Sequence, residues 1–492
     1  MPDLRHCCLA IALTSLPALP CAVVAETADD KLLSGYSLLA TTEDGATVTI
    51  GRAILSGADS DCPSFANTDG SSGTLPTQAR KNPDPVHFPV TVCEAVIEQP
   101  MRITGSHRVL PGPPGKIDEI VVVGDSGCKP KDQDGCKLGG KQWPLQQISE
   151  SAAKRTPSVV LHMGDYNYRG TSGHVTIAGN KRQVYDAGDN TDSVSCQLSG
   201  PYYGQNSVGS DNPDQWQNWW LDLFQPADAL LQAAPWIVAR GNHELCSRAG
   251  PGWFYLLDTS SDLDVVGVPQ RQCPPAESEQ PLLFAPPYRV DLRGLSVVVL
   301  DSANACDQGD LHQERFDGQF KQIQQLVDQA PQRGLLMLQS HRPIWAVRQA
   351  DDSTAPGNTD PSGKYAIIDQ TLQSAYRRYP VPRPVHLVVS GHMHRFQATG
   401  FAAHSDSPYP DQLVVGNGGV DLAHNHPENP YSFPIDGLTG TGWGTSEFGF
   451  MTLSADDKTR WKGDLRDPDG NKIASCEGGV GHDKHGPCKP ES

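Results

Sequence analysis

Five short polar blocks stand at the ends of apolar runs: Gly124-Asp125-Ser126-Gly127, Gly164-Asp165-Tyr166-Asn167-Tyr168, Gly241-Asn242-His243-Glu244, Ser340-His341-Arg342 and Gly391-His392-Met393-His394. They offer carboxylates from Asp125 and Asp165, a phenol oxygen from Tyr168, an amide oxygen from Asn242, and imidazoles from His341, His392 and His394. This donor set is enough to hold two metal ions side by side with room left for a phosphate. Asp125 and Asp165 each follow a Gly that permits a tight turn, so the carboxylate can project from a strand end. One carboxylate can serve a single ion while the other bridges, holding the pair roughly 3.5–4 Å apart, the spacing that clamps both oxygens of an in-line displacement. His392 and His394 would face opposite ways on extended chain, but on a sharp turn both rings reach neighbouring ions. His341 and Asn242 then complete one ion, and Tyr168 reaches the other. Glu244 is expected to support the site without binding metal.

The elements that must present these blocks are legible as periodicity. Short apolar runs at Ile120 to Val123, Val159 to Met163, Trp236 to Ala239, Val297 to Leu300, Leu335 to Leu338 and Leu387 to Val389 suit buried strands. Amphipathic stretches at Pro144 to Lys154, Pro213 to Ala233, His312 to Ala330 and Tyr365 to Tyr379 read as helices. The alternation predicts an α/β domain, and the polar blocks fall where α/β folds gather ligands, beyond the carboxyl ends of strands. Before it, residues 26–110 alternate apolar and polar side chains, as in Ala46 to Ile50 and Val90 to Ile97, and predict a small β-rich module. Pro111 to Gly115 breaks the chain ahead of a catalytic domain over 116–455, and 456–492 reads as a polar peripheral tail. Long loops at 169–212, 258–281 and 349–364 suit lids or rim segments.

The 492 residues carry a formal net charge of −18, which argues against a nucleic-acid duplex as partner, since a phosphate backbone needs a cationic face. Bound metals can still reverse the field locally and admit a phosphate. Residues 1–25 read as an export signal: Arg5 and His6, an apolar run from Leu9 to Leu19, and Ala25 before the cleavage point. That run is too short to span a bilayer, and no other span is present in the sequence. A secreted or periplasmic protein is expected. Of 13 cysteines, Cys7, Cys8 and Cys21 lie in the signal, leaving an even set that suits disulfides. Cys62 with Cys93, Cys128 with Cys136, and Cys476 with Cys488 are plausible pairs; Cys196, Cys246, Cys273 and Cys306 cannot be assigned from spacing.

The five blocks resemble those of the calcineurin-like metallophosphoesterases and, among them, the purple acid phosphatases. The first block of that superfamily usually reads Asp-x-His; here Gly127 takes the third place, and Tyr168 stands where purple acid phosphatases substitute a tyrosine. A phenolate is a hard anionic donor suited to Fe(III). The resemblance implies a central β-sandwich flanked by helices. It implies a first metal, Fe(III), on Asp125, Tyr168 and His394, a bridging Asp165, and a second, Zn(II), Mn(II) or Fe(II), on Asn242, His341 and His392. It further implies His243 as the residue that contacts the substrate phosphate or protonates the leaving group, with a metal-coordinated hydroxide attacking phosphorus directly. Tyr166 fails the family spacing and is expected to pack.

Other polar residues are weighed more plainly. His162 is expected in the core or behind a ligand, His424 and His426 on a plain loop or the substrate rim, and His482 and His485 in the tail. Arg169 and Arg342 neighbour ligands and could hold phosphate oxygens or pair at the surface. The function expected is an exported two-metal phosphatase acting on phosphate monoesters. The alternatives are a phosphodiesterase or nucleotidase with the same metals, or a binding protein that keeps the metals without activity. Oligomeric state is not legible.

Overall fold

The computed structural model describes residues 31–129, 136–168, 173–177, 180–184, 214–246, 248–274, 283–307, 312–331, 334–350, 359–360, 362–380, 385–401, 409–425, 427–455, 460–479 and 487–491. The expected signal, Arg169, Cys196, His426, His482, His485 and most of the 169–212 loop lie outside these residues.

Two sheets face each other. The first runs, in spatial order, Cys488–Pro490, Lys472–Gly479, Arg460–Arg466, Phe450–Ala455, Ile120–Val123, Val159–His162, Trp236–Val238, Leu32–Thr41, Thr47–Ser56, Val90–Val96 and Gln78–Ala79. The second runs Tyr288–Leu292, Leu295–Leu300, Leu335–Ser340, Leu387–Ser390, Asp411–Val415, Phe396–Phe401, Leu438–Thr445 and Tyr431–Ile435. At the centre of each sheet the pairing is parallel. Val160 pairs with Trp236 and Val159 with Ile120; Leu295 pairs with Leu335 and Met337 with Leu387.

Strand alternation explains the layers, because successive side chains point to opposite faces. Ile120, Val122, Leu161 and Ile237 meet Val297, Val299, Met337 and Val389 in the core between the sheets. Val121, Val123, Val160 and Val238 face outward onto the helices Leu145–Ala153, Asp228–Ala233 and Gly250–Leu256. On the far side Val298, Leu300, Leu336 and Val388 pack beneath the helices Gln313–Asp328 and Gln370–Arg378. Phe316, Phe320, Ile323 and Val327 recur at helical spacing and form the buried stripe of the former. Each fully buried side chain of this size stabilises the fold by about 1.5–3 kcal/mol before entropy is counted. This is the central β-sandwich flanked by helices that the resemblance implies.

Some local expectations change. Tyr365 to Tyr379 is not one helix: Tyr365–Ile368 is a strand paired with Ala346–Gln349, and the helix begins only at Gln370. Aromatic and β-branched residues favour the strand, and the Asp369 carboxylate caps the helix by accepting the Leu372 N–H at 3.0 Å. The stretch from Pro213 breaks into Trp216–Trp219, a π-turn over Trp220–Phe224, and Asp228–Ala233. Pro226, which has no N–H to donate, lies in that break. The β-rich residues before 110 continue the first sheet, with Leu38 paired to Trp236. The segment after 456 adds three edge strands and buries Trp461 and Leu465.

Four disulfides join described residues: the expected Cys62–Cys93, Cys128–Cys136 and Cys476–Cys488, and also Cys246–Cys273. Cys306 is disulfide-bonded as well. No helix among the described residues is long and apolar enough to cross a membrane.

Candidate metal centre

Because the central strands are parallel, their carboxyl ends lie on one edge of the sandwich. Ile120–Val123, Val159–His162 and Trp236–Val238 of the first sheet lead into Asp125, Asp165 and Asn242; Leu335–Ser340 and Leu387–Ser390 of the second lead into His341 and His392. The chain leaves these strands under strain. Asp125, Asp165, His392 and His394 have φ of 52°, 56°, 73° and 50°, the left-handed region that residues with a Cβ seldom occupy. Such conformations cost of order 1–3 kcal/mol each and persist where the surroundings force them. Backbone donors help to do so. The His392 N–H donates to both Asp125 carboxylate oxygens at 2.9 and 3.0 Å, and the His243 N–H donates to Asp165 Oδ1 at 2.9 Å.

All seven expected ligands come together. Donor atoms of Asp165, His341 and His392 lie within 4.8 Å of one another, and so do those of Asp125, Asp165 and His394. Asp165 is common to both groups. Asn242 Oδ1 sits 2.9 Å from His341 Nε2 and 3.0 Å from His392 Nδ1. The Tyr168 hydroxyl donates to Asp165 Oδ2 at 3.0 Å and lies 3.1 Å from His394 Nε2. His341 Nδ1 donates to the Met163 carbonyl at 2.8 Å, which leaves Nε2 as the free lone pair on the side of Asn242 and Asp165.

The donor set fits cations. Asp125 and Asp165 are fully buried. Burial, and then the charge of Asp165, pushes the Asp125 carboxyl well above its usual range. Burial opposes ionisation of Asp165 too, but the His341 charge holds it well below. Burial disfavours a charged His341 ring, yet Asp165 raises it to about 9. Without a cation, protons thus sit on Asp125 and on His341 beside the ionised Asp165, and metal binding would displace them.

The supporting residues follow. Glu244 accepts backbone N–H groups of Asp165, Tyr166, Asn167 and Gly241 at 2.8–3.2 Å, tying the second and third blocks together. A Cβ on Gly241 would lie 2.0 Å from Asp165 Oδ1, so the third block can approach the second this closely only without a side chain. A Cβ on Gly127 would lie 2.8 Å from the Tyr168 ring. It would lie closer still, at 2.5 Å, to the Tyr166 carbonyl oxygen, so the first block can approach the second this closely only without a side chain there.

His162 stacks on Tyr166 with centroids 4.0 Å apart and meets Ser126 Oγ through Nε2 at 2.9 Å. Burial lowers it to about 3, so it is a neutral core residue. Tyr166 packs beside it and donates to the Ala239 carbonyl. Arg342 does not pair at the surface: it is fully buried and ion-paired to Asp307 at 2.7 Å. His424 is exposed, next to Ala423, whose N–H donates to the His394 carbonyl.

His243 stacks against Tyr168, centroids 3.8 Å apart, with Nε2 4.0 Å from Asp165 Oδ2. Arg248 Nη2 lies 3.4 Å from the same Nε2. Burial, then the Arg248 charge, pushes His243 well below its usual value. Sequence reasoning missed Arg248 and Asp307. Arg248 lies four residues beyond the third block and its approach depends on a turn; Asp307 follows a strand, Leu295–Leu300, whose polar end carries no recognisable block.

The profile of the calcineurin-like phosphoesterase family matches residues 119–396, more than half of the chain and all five blocks. No curated protein matches. Among solved structures the chain is similar to a purple acid phosphatase, PPD1, isolated from yellow lupin (Lupinus luteus) seeds. The two are 16% identical with a TM-score of 0.49, over 91% of this chain and 74% of that one. By the family match, this chain belongs to the calcineurin-like phosphoesterases and has the metallophosphoesterase fold.

Proposed function

We propose that the protein is an exported phosphatase that hydrolyses phosphate monoesters at a pair of metal ions. The observation that best supports this is the meeting of two donor groups at one shared carboxylate, Asp165. Bound there, Fe(III) and a partner Zn(II), Mn(II) or Fe(II) would supply Lewis acidity toward phosphate oxygens and an acidified water as nucleophile. Asp125, Tyr168 and His394 would hold the first ion, and Asn242, His341 and His392 the second.

The remaining work falls to His243 and Arg248. Arg248, whose Nη2 lies 3.4 Å from His243 Nε2, would donate to a phosphoryl oxygen of the substrate. His243, kept neutral by burial and by the Arg248 charge, would contact the substrate phosphate, or take a proton from a monoanionic ester and return it to the leaving oxygen. A monoester, with its greater negative charge, would gain more from the Arg248 cation than a diester does. The disulfides agree with an oxidising compartment. We propose a small β-rich module over 26–110, a catalytic domain over 116–455 and a peripheral tail over 456–492.

Turnover of p-nitrophenyl phosphate beside its bis ester, with elemental analysis, tests the reading. Expected are two metal equivalents, faster monoester hydrolysis, and a loss of roughly 10–100-fold in monoester kcat/KM for Arg248→Ala, the scale of one charged hydrogen bond. Faster cleavage of the bis ester makes the protein a diesterase, and cleavage of neither makes it a metal-binding protein without activity. The iron assignment has its own signature. The oxidised protein is expected to absorb visible light by tyrosinate-to-Fe(III) charge transfer, and Tyr168→Phe to abolish the band. A colourless wild type with two zinc ions refutes iron and spares the fold.

A further inference from the structure

Beneath His392, on the side away from Asn242, the structure places a carboxylate that none of the five motifs contains. Both oxygens of Asp307 lie 3.2 Å from His392 Nε2. On the other side of the ring, Nδ1 faces Asn242 Oδ1 at 3.0 Å. An imidazole can present a lone pair at only one nitrogen while the other carries the proton, and a carboxylate at Nε2 settles which.

Asp307 is itself held. Arg342 Nη1 donates to Asp307 Oδ1 at 2.7 Å, and the Arg342 N–H donates to Ser302 Oγ at 2.9 Å. The Asp307 carbonyl accepts the N–H of Gln370 at the start of the helix Gln370–Arg378, and neighbouring Cys306 is disulfide-bonded. Asp307 is thus tied through its carboxylate to Arg342, beside His341, and through its backbone carbonyl to a helix on the outer face of the second sheet. Arg342 Nη1 also lies 3.0 Å from His392 Nε2. If Arg342 instead donated to that nitrogen, the ring proton would move to Nδ1 and block the ligating position. Asp307 and Arg342 therefore pull the ring toward opposite tautomers.

We infer that Asp307 is a positioning residue that fixes the orientation and tautomer of His392, so that Nδ1 is the atom offered to the second metal, with Arg342 holding the carboxylate in place. This deepens the two-metal reading and rests on it. Carboxylates behind ligating histidines typically contribute 10–100-fold in metal affinity.

The test follows metal retention by the purified holoenzyme at increasing dipicolinate concentration, with each equivalent counted by elemental analysis. Asp307→Ala is expected to release one of two equivalents at roughly 10–100-fold lower chelator than wild type, with the other equivalent unmoved. Asp307→Asn, which keeps the shape and a weaker acceptor, is expected to fall between, and serves if the alanine variant folds poorly. His392→Ala is the reference and should lose the same equivalent. If both Asp307 variants hold both equivalents as wild type does while His392→Ala loses one, the positioning role is wrong and the two-metal reading stands. Loss of both equivalents together in Asp307→Asn means that Asp307 merely supports the fold, which also overturns the inference. If His392→Ala keeps both equivalents, the ligand assignment itself fails and takes the inference with it.

Discussion

Asp165→Ala is expected to remove both metal equivalents and to lower phosphomonoester kcat/KM by roughly 10³–10⁵-fold, the largest loss from any single substitution in the chain. Among the described residues, Asp165 alone belongs to both donor groups. Each other proposed ligand would serve one ion, so its removal should leave the second group intact. Loss of Asp165 also releases the hydrogen bonds from the Tyr168 hydroxyl and the His243 N–H and removes the charge that raises His341. His341 would still donate to the Met163 carbonyl through Nδ1, so the fold around it should survive. The measurement is metal content with kinetics on folded protein. Retention of both ions, with activity within tenfold of wild type, would falsify the shared-ligand assignment.

Glu94→Ala is expected to cost about 3–5 kcal/mol in urea unfolding, the largest stability effect outside the metal site, because it leaves buried cations without their counter-charge. Glu94 Oε2 meets Arg52 Nε at 2.9 Å and Arg80 Nη1 at 2.8 Å, and both guanidinium groups are fully enclosed. Burial and then the charge of Arg52 already push Arg80 below its usual value, while Glu94 opposes them. The two arginines do more than pair. Arg52 donates to the carbonyls of Leu256 and Asp258, and Arg80 to those of Phe254, Tyr255 and Ser260. These carbonyls close the helix Gly250–Leu256, whose first turn follows Arg248 and the third motif. Glu94→Ala should therefore lower the unfolding midpoint strongly while kcat well below that midpoint stays within a few-fold of wild type. A change of less than about 0.5 kcal/mol would show that the trio contributes nothing net.

These two residues also show what could be read from the chain. Asp165 was legible because a carboxylate after Gly at the end of an apolar run is a local pattern, repeated in the other blocks. Glu94 was not. It interrupts the alternation of Val90–Val96, and nothing nearby in sequence says that Arg52 and Arg80 will enclose it. The same division separates His392 from Asp307: the first lies inside a motif, while the second reaches its partner only because Leu295–Leu300 and Leu387–Ser390 flank Leu335–Ser340 in one sheet.

The order and chemical type of the ligands, the strand identities and the two-layer alternation were set by the sequence itself, because each depends on neighbours a few positions apart. Tertiary structure alone decided that Asp165 is common to both donor groups, that Gly127 packs against the Tyr166 carbonyl and the Tyr168 ring, and that Asp307 stands behind His392. Asp307 and His392 are 85 positions apart, and the groups that meet at Asp165 reach further still. Their distances follow from sheet order and packing, which no local pattern encodes.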